Sequence, residues 1–168
     1  QAAADVLGVK RVIFFNERDG ELFPSLKIQQ QVVQEIRRFQ PEAVIVPDPT
    51  RYFYKDTYIN HSDHRAAGEI ALGALFPATG NIMYHPELLK KGLKPHTVPR
   101  IFLAVPVEPN LWVNISTVID TKIKAISQHQ SQIKDIEALP DKIRQRSQAV
   151  DEYGQTVYRE GYRQMVIV

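Results

Sequence analysis

The chain contains no cysteine. That excludes disulfides and thiolate chemistry, and it leaves His, Asp and Glu as the side chains able to hold a metal. No apolar run approaches the roughly 18 residues that a membrane-spanning helix needs, so no transmembrane segment is expected. An excess of one charge is also missing. The 21 Lys and Arg residues face 19 Asp and Glu residues, for a net charge of +2, and the basic ones are dispersed, so no nucleic-acid partner is expected. The short pairs Arg37-Arg38 and Lys90-Lys91 read as solvated faces. No glycine-rich phosphate loop of the G-x-G-x-x-G or P-loop type occurs, which argues against a nucleotide-binding domain. Neither a repeat nor a shift in composition marks a boundary, and 168 residues suit one domain with a real core. A cytoplasmic location is the default expectation.

Several segments have clear periodicity. Ala2 to Leu7 reads as the end of a helix closed by Gly8. Arg11 to Phe15 is a β-branched and aromatic run that predicts a buried strand, followed by a polar loop from Asn16 to Pro24. Ser25 caps a helix whose apolar residues Ile28, Val32, Val33, Ile36 and Phe39 keep helical spacing, and Pro41 marks its end. Ala43 to Val46 is a second apolar strand. This strand, helix, strand order predicts an α/β fold with a mostly parallel sheet and helical crossovers. Further strands are expected at Arg100 to Val105 and Leu111 to Ile115. A helix capped by Ser116 or Thr117 carries Ile119, Ile123, Ile126 and Ile133. The polar tail from Asp141 to Tyr162 reads as helical. Met165 to Val168 forms an apolar end suited to packing on the body or on a second copy, so a homo-oligomer is among the expectations.

The densest chemistry lies at His61-Ser62-Asp63-His64, continued by Arg65-Ala66-Ala67-Gly68. Two imidazoles and a carboxylate fall within four residues at the start of a helix. Imidazole is a good zinc ligand, and a neighbouring carboxylate fixes a histidine's tautomer and orientation. Ser62 or Asn60 is suited to cap the helix, Asp63 to lie at its positive end, and Ala66, Ala67, Ile70, Ala71 and Ala74 to supply a buried stripe. From spacing alone, a helix cap with two surface histidines stands beside the metal reading. The loop from Asp48 to Asn60 leaves the carboxyl end of one strand, and Asn16 to Asp19 leaves that of the strand before it. In open α/β sheets the ligand crevice lies beyond those ends, so the two segments are expected to converge on one rim. Trp112 reads as core, His129 as a buried structural histidine, and His85 and His96 as surface residues.

The run from Asp48 through Asn60 to Gly68, with Phe76-Pro77-Ala78 and Pro95-His96-Thr97-Val98, resembles the PIG-L/LmbE-like family of zinc-dependent N-deacetylases. The resemblance extends to Gly8-Val9, Asp19-Gly20-Glu21-Leu22 and His129-Gln130-Ser131-Gln132, and so covers most of the chain. The family motif is H-P-D-H-x-x-x-G, and Ser62 stands in its proline position. The resemblance implies a Rossmann-like three-layer sandwich and hydrolysis of a small N-acetylated substrate, such as an amino sugar, at a zinc site. It implies that His64 is a metal ligand, that His61 as imidazolium stabilises the oxyanion, and that Asp63 orients a histidine. Asp19 is expected to meet polar groups of the substrate, with a plain Asp-Gly turn as the alternative. Arg51 and Tyr58 are candidates for binding sugar hydroxyls or a phosphate.

The family also uses an H-P-D-D segment after its first strand, which supplies two more ligands and the general base. No H-P-D-D occurs in these 168 residues. The expectation is therefore a domain lacking its first strand and needing that segment for activity. A catalytically inactive binding or scaffold domain of the same fold is the alternative. A polypeptide of these residues alone is expected to be poorly soluble or to borrow a strand, because neighbouring strands would keep open edges.

Overall fold

The computed structural model describes residues 1–167, and Val168 lies outside them. The chain groups into two compact units, one of residues 1–14 with 112–160, the other of residues 15–111 with 161 onward.

The second unit carries the α/β framework. Helix α2 (Leu26–Phe39) starts where the Ser25 hydroxyl accepts the Ile28 N–H at 3.3 Å and stops at Gln40, whose left-handed backbone closes it. Its Val33 and Ile36 enter a core with Val46, Ala74, Leu75, Leu88, Val98, Ile101 and Leu103. Phe39 does not follow the stripe and is 81% exposed in the last turn. Strand β1 (Ala43–Pro47) pairs in parallel with β4 (Arg100–Ala104), Val44 opposite Ile101 and Val46 opposite Leu103. Between them come a two-stranded hairpin, β2 (Phe53–Tyr54) and β3 (Tyr58–Ile59), and helix α3 (Ser62–Gly73). The second half of β7 (Thr156–Val166) adds an antiparallel partner to β4, with Arg100 opposite Val166 and Ala104 opposite Tyr162, so the ladder is mixed. Met165 and Ile167 pack against the unit's own core.

The first unit contains α1 (Ala2–Val6), β5 (Leu111–Asn114) from Trp112 on, α4 (Ile119–Ser127), α5 (Leu139–Ser147), β6 (Gln148–Val150) and the first half of β7. Ile115, Ile119, Ile123 and Ile143 form its core. The tail that reads as helical is helix only to Ser147. Beyond it Gln148 pairs with Tyr158 and Val150 with Thr156 across a turn in which Asp151 accepts the N–H groups of Tyr153 and Gln155. Thr156, Val157 and Tyr158 are β-branched and aromatic residues that favour a strand once a partner is supplied.

Other expectations change for equally local reasons. Arg11 to Phe15 forms no strand among the described residues, and Ile13 and Phe14 are exposed: an apolar run becomes a strand only where a ladder partner meets it. Helix α4 has no side-chain cap. The Ser116 hydroxyl accepts the Tyr158 N–H at 2.9 Å instead, and Ile133 lies past the helix end. Trp112 and His129 are exposed. His85 and His96 are both partly buried, the first beside Glu87 at 3.5 Å and the second bonded through Nε2 to the Pro41 carbonyl at 2.9 Å. Arg37, expected on a solvated face, is 2% exposed. No helix among the described residues is long and apolar enough to cross a membrane.

Candidate functional site

His61 itself caps α3. Its Nδ1 accepts the Asp63 backbone N–H at 3.2 Å, a role expected of Ser62 or Asn60. Both of those residues are engaged elsewhere. The Ser62 hydroxyl donates to Asp63 Oδ1 at 3.2 Å, and the buried Asn60 donates its amide to the Arg51 carbonyl at 2.8 Å. Arg65, one turn into the helix, donates to the Asn60 carbonyl at 2.6 Å and lies over the Tyr52 ring, 4.3 Å from its centroid. Further along α3, Gly68 rides on the end of β1. A Cβ at Gly68 would lie 2.4 Å from the Pro47 carbonyl oxygen and 3.0 Å from the Pro49 ring. Only glycine permits this approach, which sets how deeply the helix start sits over the strand end.

The predicted convergence on one rim is present. Gly20 donates its N–H to Asp63 Oδ2 at 2.7 Å, which ties the 16–24 loop to the start of α3. The adjacent Asp19 carboxylate, 96% exposed, lies 3.8 Å from His61 Nε2, and His61 Nδ1 lies 3.8 Å from Asp63 Oδ1. Donor atoms of Asp19, His61 and Asp63 all lie within 4.8 Å of one another. Ligands of a tetrahedral zinc lie about 2.0–2.2 Å from it, so the Asp19 and Asp63 carboxylates fit such a metal in kind, whereas His61, with Nδ1 taken by the helix cap, is left to donate through Nε2. His64 stands beside the cluster, exposed, its ring centroid 5.7 Å from that of His61. The cap discriminates between the two histidines. With Nδ1 accepting a hydrogen bond, the neutral His61 ring carries its proton on Nε2 and offers a donor there, whereas His64 has no such constraint.

Arg51 and Tyr58 fall outside this cluster. Arg51 Nε donates to the Val105 carbonyl at 2.6 Å and its guanidinium to that of Pro106, so it holds the loop after β4. Tyr58 is exposed on the hairpin, 5.7 Å from the Tyr54 ring. A cavity of about 250 Å³ lies between the start of α2 and the middle of α3, lined by Pro24, Leu26, Gln29 and Ile70 among others, and none of the six predicted site residues lines it.

Asp48 is absent from the site residues expected from the sequence, yet it organises the rim. It is buried, Oδ1 accepts the Thr50 N–H (2.8 Å) and hydroxyl (2.6 Å), and Oδ2 accepts the Val107 N–H at 3.0 Å. The available signal is Asp-x-Thr directly after a strand, an Asx-turn pattern. Burial opposes its ionisation, but these hydrogen bonds and the nearby Arg51 outweigh it and hold the carboxyl below its usual range. A depressed carboxylate contributes stability above its unfolded value, near pH 4, and loses it as pH falls through the folded one. Asp48→Asn is therefore expected to cost about 1.5–3 kcal/mol in urea unfolding at pH 7. The gap to the parent should close below about pH 4.

The fold and the rim define an α/β protein with an H-x-D-H motif at the start of α3. A family model for GlcNAc-PI de-N-acetylases, PIG-L, matches residues 1–75. Diacetylchitobiose deacetylase of Thermococcus kodakarensis is 32% identical over 130 residues, 77% of this chain and 46% of that protein. The solved N,N'-diacetylchitobiose deacetylase of Pyrococcus horikoshii superposes with a TM-score of 0.81 at 30% identity, covering 98% of this chain and 60% of its own. The chain thus spans about half the length of the curated relative. Two further structures share the fold at lower identity. They are a conserved protein of Thermus thermophilus (TM-score 0.72, 24% identity, 99% of this chain and 71% of that one) and the hydratase GalB of Pseudomonas putida (0.73, 23%, 99% and 69%). The chain belongs to the PIG-L/LmbE-like deacetylase family. GalB is a reminder that the fold by itself does not select the reaction.

Proposed function

We propose that this chain is part of a zinc-dependent N-deacetylase that removes acetyl from an N-acetylated amino sugar, diacetylchitobiose and its relatives being the first substrates to try. The observation that supports this most is the meeting of Asp19, His61 and Asp63 at the rim, with His64 alongside. His64 and a carboxylate of the cluster would hold the metal. A divalent metal, when bound, supplies Lewis acidity and an activated water. His61, capped at Nδ1, presents Nε2–H to the oxygen on which charge develops during attack at the acetyl carbon. Asp63 keeps that ring in register through its backbone N–H, and the 16–24 loop through Oδ2, which accepts the Gly20 N–H. Asp19 accepts hydrogen bonds from substrate hydroxyls. The remaining ligands and the general base are proposed to come from an H-P-D-D-type segment outside these 168 residues.

The test is elemental analysis of the native protein joined to an acetate-release assay on N-acetylated amino sugars. About one zinc per chain is expected, and chelation should lower turnover at least about 100-fold, with recovery on zinc addition. A metal-free protein that releases no acetate would instead favour the inactive binding domain.

A further inference from the structure

The hairpin between β1 and α3 has a polarised arrangement that the reaction itself does not require. Across β2 and β3, Phe53 is opposite Ile59 and Tyr54 opposite Tyr58, so the two tyrosines share one face and Phe53 with Ile59 the other. The tyrosine face is oriented by Arg51. Its guanidinium, fixed to the carbonyls of Val105 and Pro106 beyond the carboxyl end of β4, lies 5.2 Å from the Tyr54 ring centroid. That face therefore belongs to the same rim as the catalytic motif. Tyr58 is 58% exposed, with its ring 5.7 Å from that of Tyr54. Two residues, Ile59 and Asn60, separate Tyr58 from His61, and the three backbone steps between their Cα atoms span at most about 11 Å. The base of the hairpin is held firmly, since the buried Asn60 donates its N–H to the Tyr52 carbonyl at 2.8 Å and its amide to that of Arg51.

We infer that the Tyr54–Tyr58 face is an outer subsite that stacks on the second ring of a disaccharide whose first, N-acetylated ring lies at His61. Sugar rings present C–H faces that pack on aromatic rings, while the phenol hydroxyls and the Arg51 side chain offer hydrogen bonds to the ring's edge. That short tether keeps the Tyr58 backbone within about 11 Å of the His61 backbone, on the scale of two linked pyranose rings. This inference rests on the reading of the chain as an amino-sugar deacetylase, and its test is built to separate the two.

The experiment uses the native protein, Tyr58→Ala and Phe53→Ala. Calorimetric binding of the deacetylated disaccharide and of the deacetylated monosaccharide is measured beside turnover of their N-acetylated forms. The parent is expected to prefer disaccharide over monosaccharide by roughly tenfold in affinity and in kcat/KM, the scale of one aromatic stacking contact. Tyr58→Ala should erase most of that ratio. Phe53→Ala, on the opposite face, should leave it where it was. An equal affinity of the parent for both sugars, or an unchanged ratio in Tyr58→Ala, overturns the subsite. The subsite also falls if Tyr58→Ala alters only the oligomeric state seen by light scattering, which would make the face a contact between copies. Preferential binding of the disaccharide without turnover would leave the subsite standing and remove the deacetylase reading.

Discussion

Replacing His61 by asparagine is expected to leave the protein folded and to lower kcat by about 10²–10⁴-fold. The substitution separates two roles that the same ring fills. His61 Nδ1 accepts the Asp63 N–H at the start of α3, and asparagine is among the best residues at that position, so the cap survives. What asparagine cannot reproduce is the Nε2–H, 3.8 Å from Asp19, that would face the developing oxyanion. Thermal unfolding should therefore shift by no more than about 0.5 kcal/mol while turnover collapses. His61→Ala, which removes cap and donor together, should lose the same activity and about 1 kcal/mol of stability as well. An asparagine variant with near-parent kcat would reduce His61 to a helix cap.

Much of this site is legible because its parts are local. The H-x-D-H spacing, the glycine seven residues after His61 and the helix behind them lie in the thirteen consecutive positions from His61 to Gly73. The loop that follows β1 and leads into the motif places the motif at the carboxyl end of that strand, and the Gly20–Asp63 bond brings the Asp19 loop to it, although no strand precedes that loop among the described residues. The illegible features depend on partners far away in sequence. Nothing around Arg51 announces that the carbonyls of Val105 and Pro106 would take its guanidinium. Arg11 to Phe15 has the composition of a strand, but a strand needs a neighbour, and the tail beyond Ser147 became β6 and β7 because neighbours existed. His61 is the cap because the helix begins one residue later, at Ser62, whose hydroxyl donates to Asp63. The pair Arg37-Arg38 misled for a geometric reason. Adjacent helical residues point about 100° apart, so Arg38 reaches solvent and Glu35 while Arg37 turns inward.

Arg37 is consequently the residue whose loss should cost the fold most. Its Nε donates to the Thr79 carbonyl at 3.1 Å. Its Nη2 lies 2.9 Å from the Ala78 carbonyl, 2.9 Å from that of Asn81 and 3.0 Å from that of Tyr84. The segment from Ala78 to Tyr84 has no ladder of its own, so a side chain on α2 satisfies carbonyls that regular structure leaves open. Burial makes that guanidinium harder to keep charged and pushes its pKa down, partly offset by the Glu87 carboxylate. The cost of burying the charge is already met in the folded protein. Methionine would fill similar space yet strand the carbonyls, so Arg37→Met should lose about 3–5 kcal/mol, the scale of a broken buried polar network. For a chain of this size that is roughly a 10 °C fall in Tm. Arg37→Lys should recover little, because a single ammonium cannot span acceptors that a planar fork reaches together. Loss of less than about 1 kcal/mol in urea unfolding of Arg37→Met would mean that water takes over the carbonyls and that the arginine is not what orders the segment.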